Sequence, residues 1–270
     1  MRLRIRHETR YVYETAAQRA TEVVRLTPGG HDGQYVVNWR IDVSADCRLY
    51  ASRDPFGNRM HNFTVEGPLD TLSIVAEGTV ETTDTNGVLS GQAERFPPVL
   101  FQRGTPLTHA DAGLRAFADS YKPGLKGDRI ELMHRIMGDI AGSMEFAVDV
   151  SDSGTTAKAA FAEKRGVCQD FAHVFVAVCR HLGIPARFVS GYLYRKGADD
   201  AAAGHAWAEA HVDGLGWVGF DPANDMSPTD DYVRVATALD YLGASPLRGA
   251  HYGGDGESLD VEITVEKVLR

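Results

Sequence analysis

Cys168 heads an apolar helical pattern in Arg165-Gly166-Val167-Cys168-Gln169-Asp170-Phe171-Ala172-His173. A thiol becomes a nucleophile when its ionisation is favoured, and a helix N-terminus supplies partial positive charge for that. Downstream, strand alternation in Gly204-His205-Ala206-Trp207-Ala208-Glu209-Ala210-His211 sets His205, Trp207, Glu209 and His211 on one face and alanines on the other. His205, at the strand's entrance, can accept the thiol proton and hold a thiolate–imidazolium pair. Asp221 follows Trp217-Val218-Gly219-Phe220 and precedes Pro222, where an aspartate can hydrogen-bond the imidazole and fix its tautomer. The same residues have blander readings. A cysteine beside an apolar run is commonly buried core, a histidine is commonly a satisfied core or surface group, and Asp-Pro is usually a turn. A metal reading of Cys168, His173, His205 and His211 lacks established ligand spacing. His173 and His181 read as helix-surface groups, His173 near enough to the helix start to lie by the site, while Trp207 and Trp217 read as core.

The elements that must hold these residues follow from periodicity. Leu3, Ile5 and His7 alternate with Arg4, Arg6 and Glu8, and Phe63/Val65 and Leu72/Ile74/Ala76 repeat the period of two. Asp54-Pro55-Phe56-Gly57-Asn58 supplies turn chemistry between two such runs. The first part of the chain therefore reads as an antiparallel, β-sandwich-like domain over 1–95, ending at the polar, strand-poor stretch Thr82–Gly91 and the breaker Phe96-Pro97-Pro98. The rest, 96–270, begins with helices. Thr108 is the expected cap of one, Asp128 of a second, and a short one follows through Ala157 to Phe161. The Cys168 helix carries Phe171, Val174, Phe175, Val178 and Leu182 as its core stripe and should end near Gly183-Ile184-Pro185. Strands return at Arg187–Tyr194, His205–Val212 and Trp217–Phe220, and Leu259, Val261, Ile263 and Val265 alternate near the C-terminus. Helices first and strands after give an α+β fold rather than a parallel βαβ sheet.

A net charge of -9 argues against nucleic-acid or anionic-membrane partners, which reward clustered Lys and Arg. No apolar stretch approaches the roughly 20 residues of a membrane span, and the N-terminus lacks the apolar centre of a signal peptide, so the expected location is cytoplasmic. Three cysteines, Cys47, Cys168 and Cys179, fit a reducing compartment, and no CxxC pair suggests zinc. No cofactor is implied.

The order of cysteine on a helix start, histidine on a strand and aspartate on the next strand resembles the papain-like thiol enzymes. More narrowly, Gly166–His173, Arg180-His181-Leu182-Gly183-Ile184-Pro185-Ala186-Arg187, Ser190-Gly191-Tyr192, Gly204-His205-Ala206-Trp207 and Asp221-Pro222 closely resemble the bacterial transglutaminase-like family of candidate cysteine proteases. The N-terminal part resembles that family's own β domain through Tyr11-Val12-Tyr13 and the Asp54–Asn58 turn. The resemblance implies a papain-like, transglutaminase-type core in which a helix bearing the cysteine packs on an antiparallel sheet. It also implies a Cys168-His205-Asp221 triad and a peptide or protein substrate. The expected activity is thiol-dependent hydrolysis of an amide bond through a thioacyl-enzyme. Acyl transfer to an amine and a non-catalytic peptide-binding module are the alternatives, because one fold hosts many reactions. Two features depart from the related patterns. The position six residues before the nucleophile, where papain-type enzymes carry an oxyanion-hole glutamine, is Ala162, and the loop Ser151–Thr156 lacks the aromatic-Pro-Gly pattern of many relatives. Gln169, His173, Trp207 or a tyrosine of the N-terminal domain are the candidates for the missing donor or for substrate contacts.

Overall fold

The computed structural model describes residues 1–197 and 204–268. Its N-terminal part consists of β1 (Arg2–Thr27), β2 (Gln34–Val43), β3 (Tyr50–Arg53), β4 (Arg59–Thr82) and the short β5 (Val88–Leu89). The period of two holds along the first half of β1: Leu3, Ile5, His7, Thr9, Tyr11 and Tyr13 are buried while their neighbours face outward. β1 and β4 pair antiparallel along most of their length, and β2 and β3 pair with β4.

The helical part follows as α1 (Ala112–Asp119), α2 (Arg129–Ser143), β6 (Glu145–Phe146), α3 (Ala157–Glu163), β7 (Arg165–Gly166) and α4 (Cys168–His181). Asp128 caps α2 through the amides of Ile130 and Glu131, as its position in the sequence predicts. The cap of α1 is Asp111 rather than Thr108. Thr108 is buried, its hydroxyl taken by Thr105 and by the Arg180 guanidinium at 2.8 Å, so it is not free for a helix amide. Beyond α4 lie β8 (Ala186–Leu193), β9 (His205–Val212), β10 (Gly216–Phe220), β11 (Tyr232–Ala238), α5 (Tyr241–Ala244), β12 (Leu247–Tyr252) and β13 (Glu257–Lys267). The second sheet has the order β11-β8-β9-β10-β5. The apolar stripe of α4, with Val174, Phe175 and Val178, packs with Ala208 and Ala210 of β9, whose small side chains let the helix approach. The fold is α+β, with antiparallel main sheets.

The sheets do not divide at residue 95. β12 and β13 return to flank β1, so the first sheet contains the last strands of the chain, and β5 joins the second sheet through β10. The first sheet is one hydrogen-bonded unit of six strands. β11 has no alternation to read, because all seven of its residues are buried.

β11 is an edge strand, and two amide side chains cover it. Gln34 donates to the Arg234 carbonyl and accepts the Arg234 N–H, both at 2.8 Å. Asn58, at the end of the Asp54–Asn58 turn, does the same at Thr237, donating at 2.7 Å and accepting at 2.9 Å. Each amide mimics a paired strand and closes backbone groups that would otherwise be open. Asn58→Ala should strip Thr237 of both partners and lower unfolding free energy by about 2–4 kcal/mol in chemical denaturation, with Gln34→Ala similar. A loss below about 0.5 kcal/mol would mean that these amides do not hold the sheets together.

Candidate active site

Cys168 is the first residue of α4 and is half-buried. The helix start is fixed by Asp170, whose Oδ2 accepts the Val167 amide at 2.9 Å and the Ser151 hydroxyl at 2.6 Å. Gly166 makes room for that carboxylate: a Cβ there would come within 2.6 Å of Asp170 Oδ2. Gln169 donates to the Asp152 carbonyl at 3.2 Å, so the loop that departs from the family pattern is tied to the helix start at two points. Cys168 Sγ lies 4.0 Å from the carbonyl of Gly204, the residue before His205.

His205 opens β9 and its Nε2 lies 2.6 Å from Asp221 Oδ2. The stacked Trp207 ring and the edge of Tyr232 confine the imidazole, with centroids at 6.1 and 5.7 Å. Gly191 allows this packing, since any Cβ there would run into the Trp207 ring and the Val233 carbonyl. Asp221 is fully buried. Its Oδ2 also accepts Asn224 Nδ2 at 2.6 Å and the Tyr232 hydroxyl at 2.7 Å, and its Oδ1 accepts the amides of Ala223 and Asn224. Burial alone would raise the Asp221 carboxyl, but the His205 contact and these donors hold it below its ordinary value. Burial likewise works against a charged His205. The hydrogen bonds and charges of Asp221 and Cys168 outweigh it and raise the imidazole to about 9. The structure thus brings Cys168, His205 and Asp221 together, and the arrangement can hold a protonated imidazole between Cys168 Sγ and the Asp221 carboxylate.

Of the other candidates, Gln169 lines the cleft beside Cys168, whereas His173 and Trp207 do not. His173 is not a surface group. It is fully buried, its Nε2 accepts the Tyr241 amide at 3.1 Å, and its ring lies 5.0 Å from Phe188. Burial lowers it to about 4, so it stays neutral and structural. α4 is covered by helices on one side and sheet on the other, which leaves this turn no solvent face. Trp207 is buried behind His205 and outside the cleft, where it confines the ring instead of meeting substrate. Tyr11 does line the cleft, and burial together with the nearby Glu22 carboxylate raises its hydroxyl above the ordinary value. Ala162 is exposed on α3.

Asn224 and Tyr232 escaped the sequence reading. Asn224 sits three residues after Asp221 in the Asp-Pro-Ala-Asn turn, a spacing that could have flagged it; Tyr232 opens a strand whose pattern carries no period.

The cleft that holds Cys168 and His205 has a volume of about 320 Å³. One wall comes from α4 and the second sheet. The other comes from β1 and β13, with Tyr241, Pro246 and Leu247 also on the rim, so strands far apart along the chain share this wall.

Comparison with known proteins agrees with this architecture. Residues 115–222 match the transglutaminase-like superfamily and residues 3–81 match the bacterial transglutaminase-like N-terminal region. An uncharacterized protein of Mycobacterium leprae is 31% identical over 291 residues, covering 99% of this chain and 99% of its own length. An uncharacterized protein of Mycobacterium tuberculosis is 28% identical over 295 residues, covering 98% of this chain and 92% of its own. The crystal structure of a candidate cysteine protease from Cytophaga hutchinsonii superposes with a TM-score of 0.79 at 22% identity, covering all of this chain and 92% of that one.

Because His205 is raised in the folded state, its pairing favours folding fully below the ordinary value of 6.5, and that contribution is lost as pH rises through about 9. Followed by NMR, the His205 ring should titrate near pH 9. In Asp221→Asn the titration should move down by more than one unit, because burial then meets less opposition. An unchanged midpoint would mean that Asp221 does not set the charge of the ring.

Proposed function

The chain belongs to the transglutaminase-like superfamily, and on that footing we propose that it hydrolyses an amide or peptide bond through Cys168, His205 and Asp221. The observation that carries this reading is His205, bonded to Asp221 at 2.6 Å while lining the cleft that holds Cys168. Cys168 and His205 act as a thiolate–imidazolium pair, and Sγ of the thiolate bonds to the substrate carbonyl carbon. The carbonyl oxygen takes up the negative charge. The Cys168 amide, a helix-start donor with no intrahelical acceptor, contributes one hydrogen bond to it. Gln169 is the candidate for the second, since its side-chain amide has another N–H besides the one given to Asp152.

The tetrahedral intermediate then collapses, the C–N bond breaks and the imidazolium protonates the departing amine. Water, deprotonated by His205, attacks the thioester and releases the acid and the free thiol. Asp221 keeps the ring oriented and balances its charge throughout. Water as acceptor is always at hand, whereas transfer to an amine would need a site for that amine. The three unpaired cysteines suit a reducing, cytoplasmic setting.

A library of fluorogenic aminocoumarin peptide amides supplies the test. Cys168→Ala should abolish turnover, and His205→Ala should reduce it on the order of 10²–10⁴-fold. Undiminished turnover by Cys168→Ala would sink the mechanism. With a fluorescent alkylamine present, incorporation faster than acid formation would replace hydrolysis by transfer. Absence of turnover together with an unreactive Cys168 would leave a peptide-binding module. The wild-type rate should fall as pH rises past about 9, where His205 loses the proton that the leaving amine needs.

A further inference from the structure

The cleft beside Cys168 has a chemical character of its own. Among the described residues, no Asp, Glu, Lys or Arg side chain lines it. His7, on the β1 wall, is the one histidine there apart from His205. Its ring nitrogens are engaged by the Tyr192 hydroxyl at 3.0 Å and Thr9 Oγ1 at 3.2 Å, and burial lowers it to about 4, so the wall carries no charge at neutral pH. The remaining lining on this side is uncharged, with Thr9 and Tyr11 from β1 and aliphatic residues from β13. β13 is paired with β1 so that Ile263 lies opposite His7, Val261 opposite Thr9 and Leu259 opposite Tyr11. All six of these residues line the cleft.

The β13 residues form a graded apolar ramp away from the nucleophile. Ile263 is 4% exposed and its Cδ1 lies 3.8 Å from where a Cβ would stand on Gly204, whose carbonyl contacts Cys168 Sγ. Val261 is 47% exposed and Leu259 is 56% exposed, further out on the same face. Folding alone gives no reason to leave two large aliphatic residues half-open beside a thiol, while Asp260 and Glu262 between them keep the opposite face polar. A volume of about 320 Å³ is at the small end for ligand sites, suited to a side chain rather than a whole chain.

Resting on the hydrolase reading of Cys168, we propose that this β1–β13 cleft is the specificity pocket for the residue adjoining the attacked carbonyl. It selects a large, uncharged aliphatic or aromatic side chain, with Val261 and Leu259 as the specificity-determining residues. A charged side chain would enter with no partner and lose its hydration. The C-terminal strand is therefore part of the site, although it lies far from Cys168, His205 and Asp221 in sequence.

The test uses the full chain and acetyl-aminoacyl chloromethyl ketones bearing Phe, Leu, Gln, Asp or Lys side chains. Sγ bonds to the methylene carbon, chloride leaves, and intact mass reports the rate. Each rate is divided by that of iodoacetamide on the same variant, which removes differences in thiol reactivity. The Phe and Leu reagents should react at least about 10-fold faster than the Asp and Lys reagents. Val261→Asp and Leu259→Lys, both at half-open positions, should each erase the apolar preference, and Val261→Asp should favour the Lys reagent. A flat series, a series led by Gln or a charged side chain, or variants with an unaltered order would overturn the pocket while leaving the thiol reading intact. If iodoacetamide fails to modify Cys168 in the wild type, the nucleophile assignment falls and the pocket with it.

Discussion

A carboxylate with no access to water stays an anion only when donors surround it, and Asp221 receives five hydrogen bonds from His205, Asn224, Tyr232 and the amides of Ala223 and Asn224. The donors come from three separate elements. His205 is set by β9, the amides by the turn after β10, and the Tyr232 hydroxyl by β11. Remove the anion and His205 is a buried imidazole for which burial favours the neutral form. The chemistry proposed at Cys168 thus depends on a charge that the substrate need never touch.

Keeping β11 in register is a task shared with the N-terminal sheet. Gln34 and Asn58 occupy the backbone groups of this edge strand, and Asn58 is itself fixed by Asp54, which pairs with Arg25 at 3.0 Å. A buried charge network braces the same sheet: Glu209 lies 2.6 Å from both Arg187 and Arg234, and Arg187 also stacks on Trp217 at 3.9 Å. Burial would raise Glu209, but the two guanidinium groups hold it down at about 2. The far end of α4 is anchored by Arg180, whose guanidinium reaches the carbonyls of Phe101, Ala186 and Leu239. Helix and sheet are thus each locked by buried, satisfied polar groups, which fixes Cys168 against His205 more firmly than apolar packing alone would.

Much of this was legible along the chain. The Cys168 helix, the His205 strand and the Asp128 cap each rest on residues within a turn or two of one another, where local rules hold. The readings that changed were those in which distant groups compete. Thr108 is drawn from helix capping by Arg180, and His173, expected at the surface, is enclosed where α4 meets β8 and α5. β11 left no signal because burial on both faces erases alternation.

The sequence by itself determined which three residues are candidates to act together and the type of element carrying each, because helix starts, strand periods and turns are written in neighbouring residues. Only the tertiary structure decided what surrounds that trio. The donors from Asn224 and Tyr232, the amide clamps of Gln34 and Asn58, and the cleft wall of His7, Val261 and Leu259 join segments that are distant along the chain or carry no periodic signature. Their partners become defined when β13 closes against β1 and β11 is covered, since hydrogen bonds and burial depend on distance in space rather than on spacing in sequence.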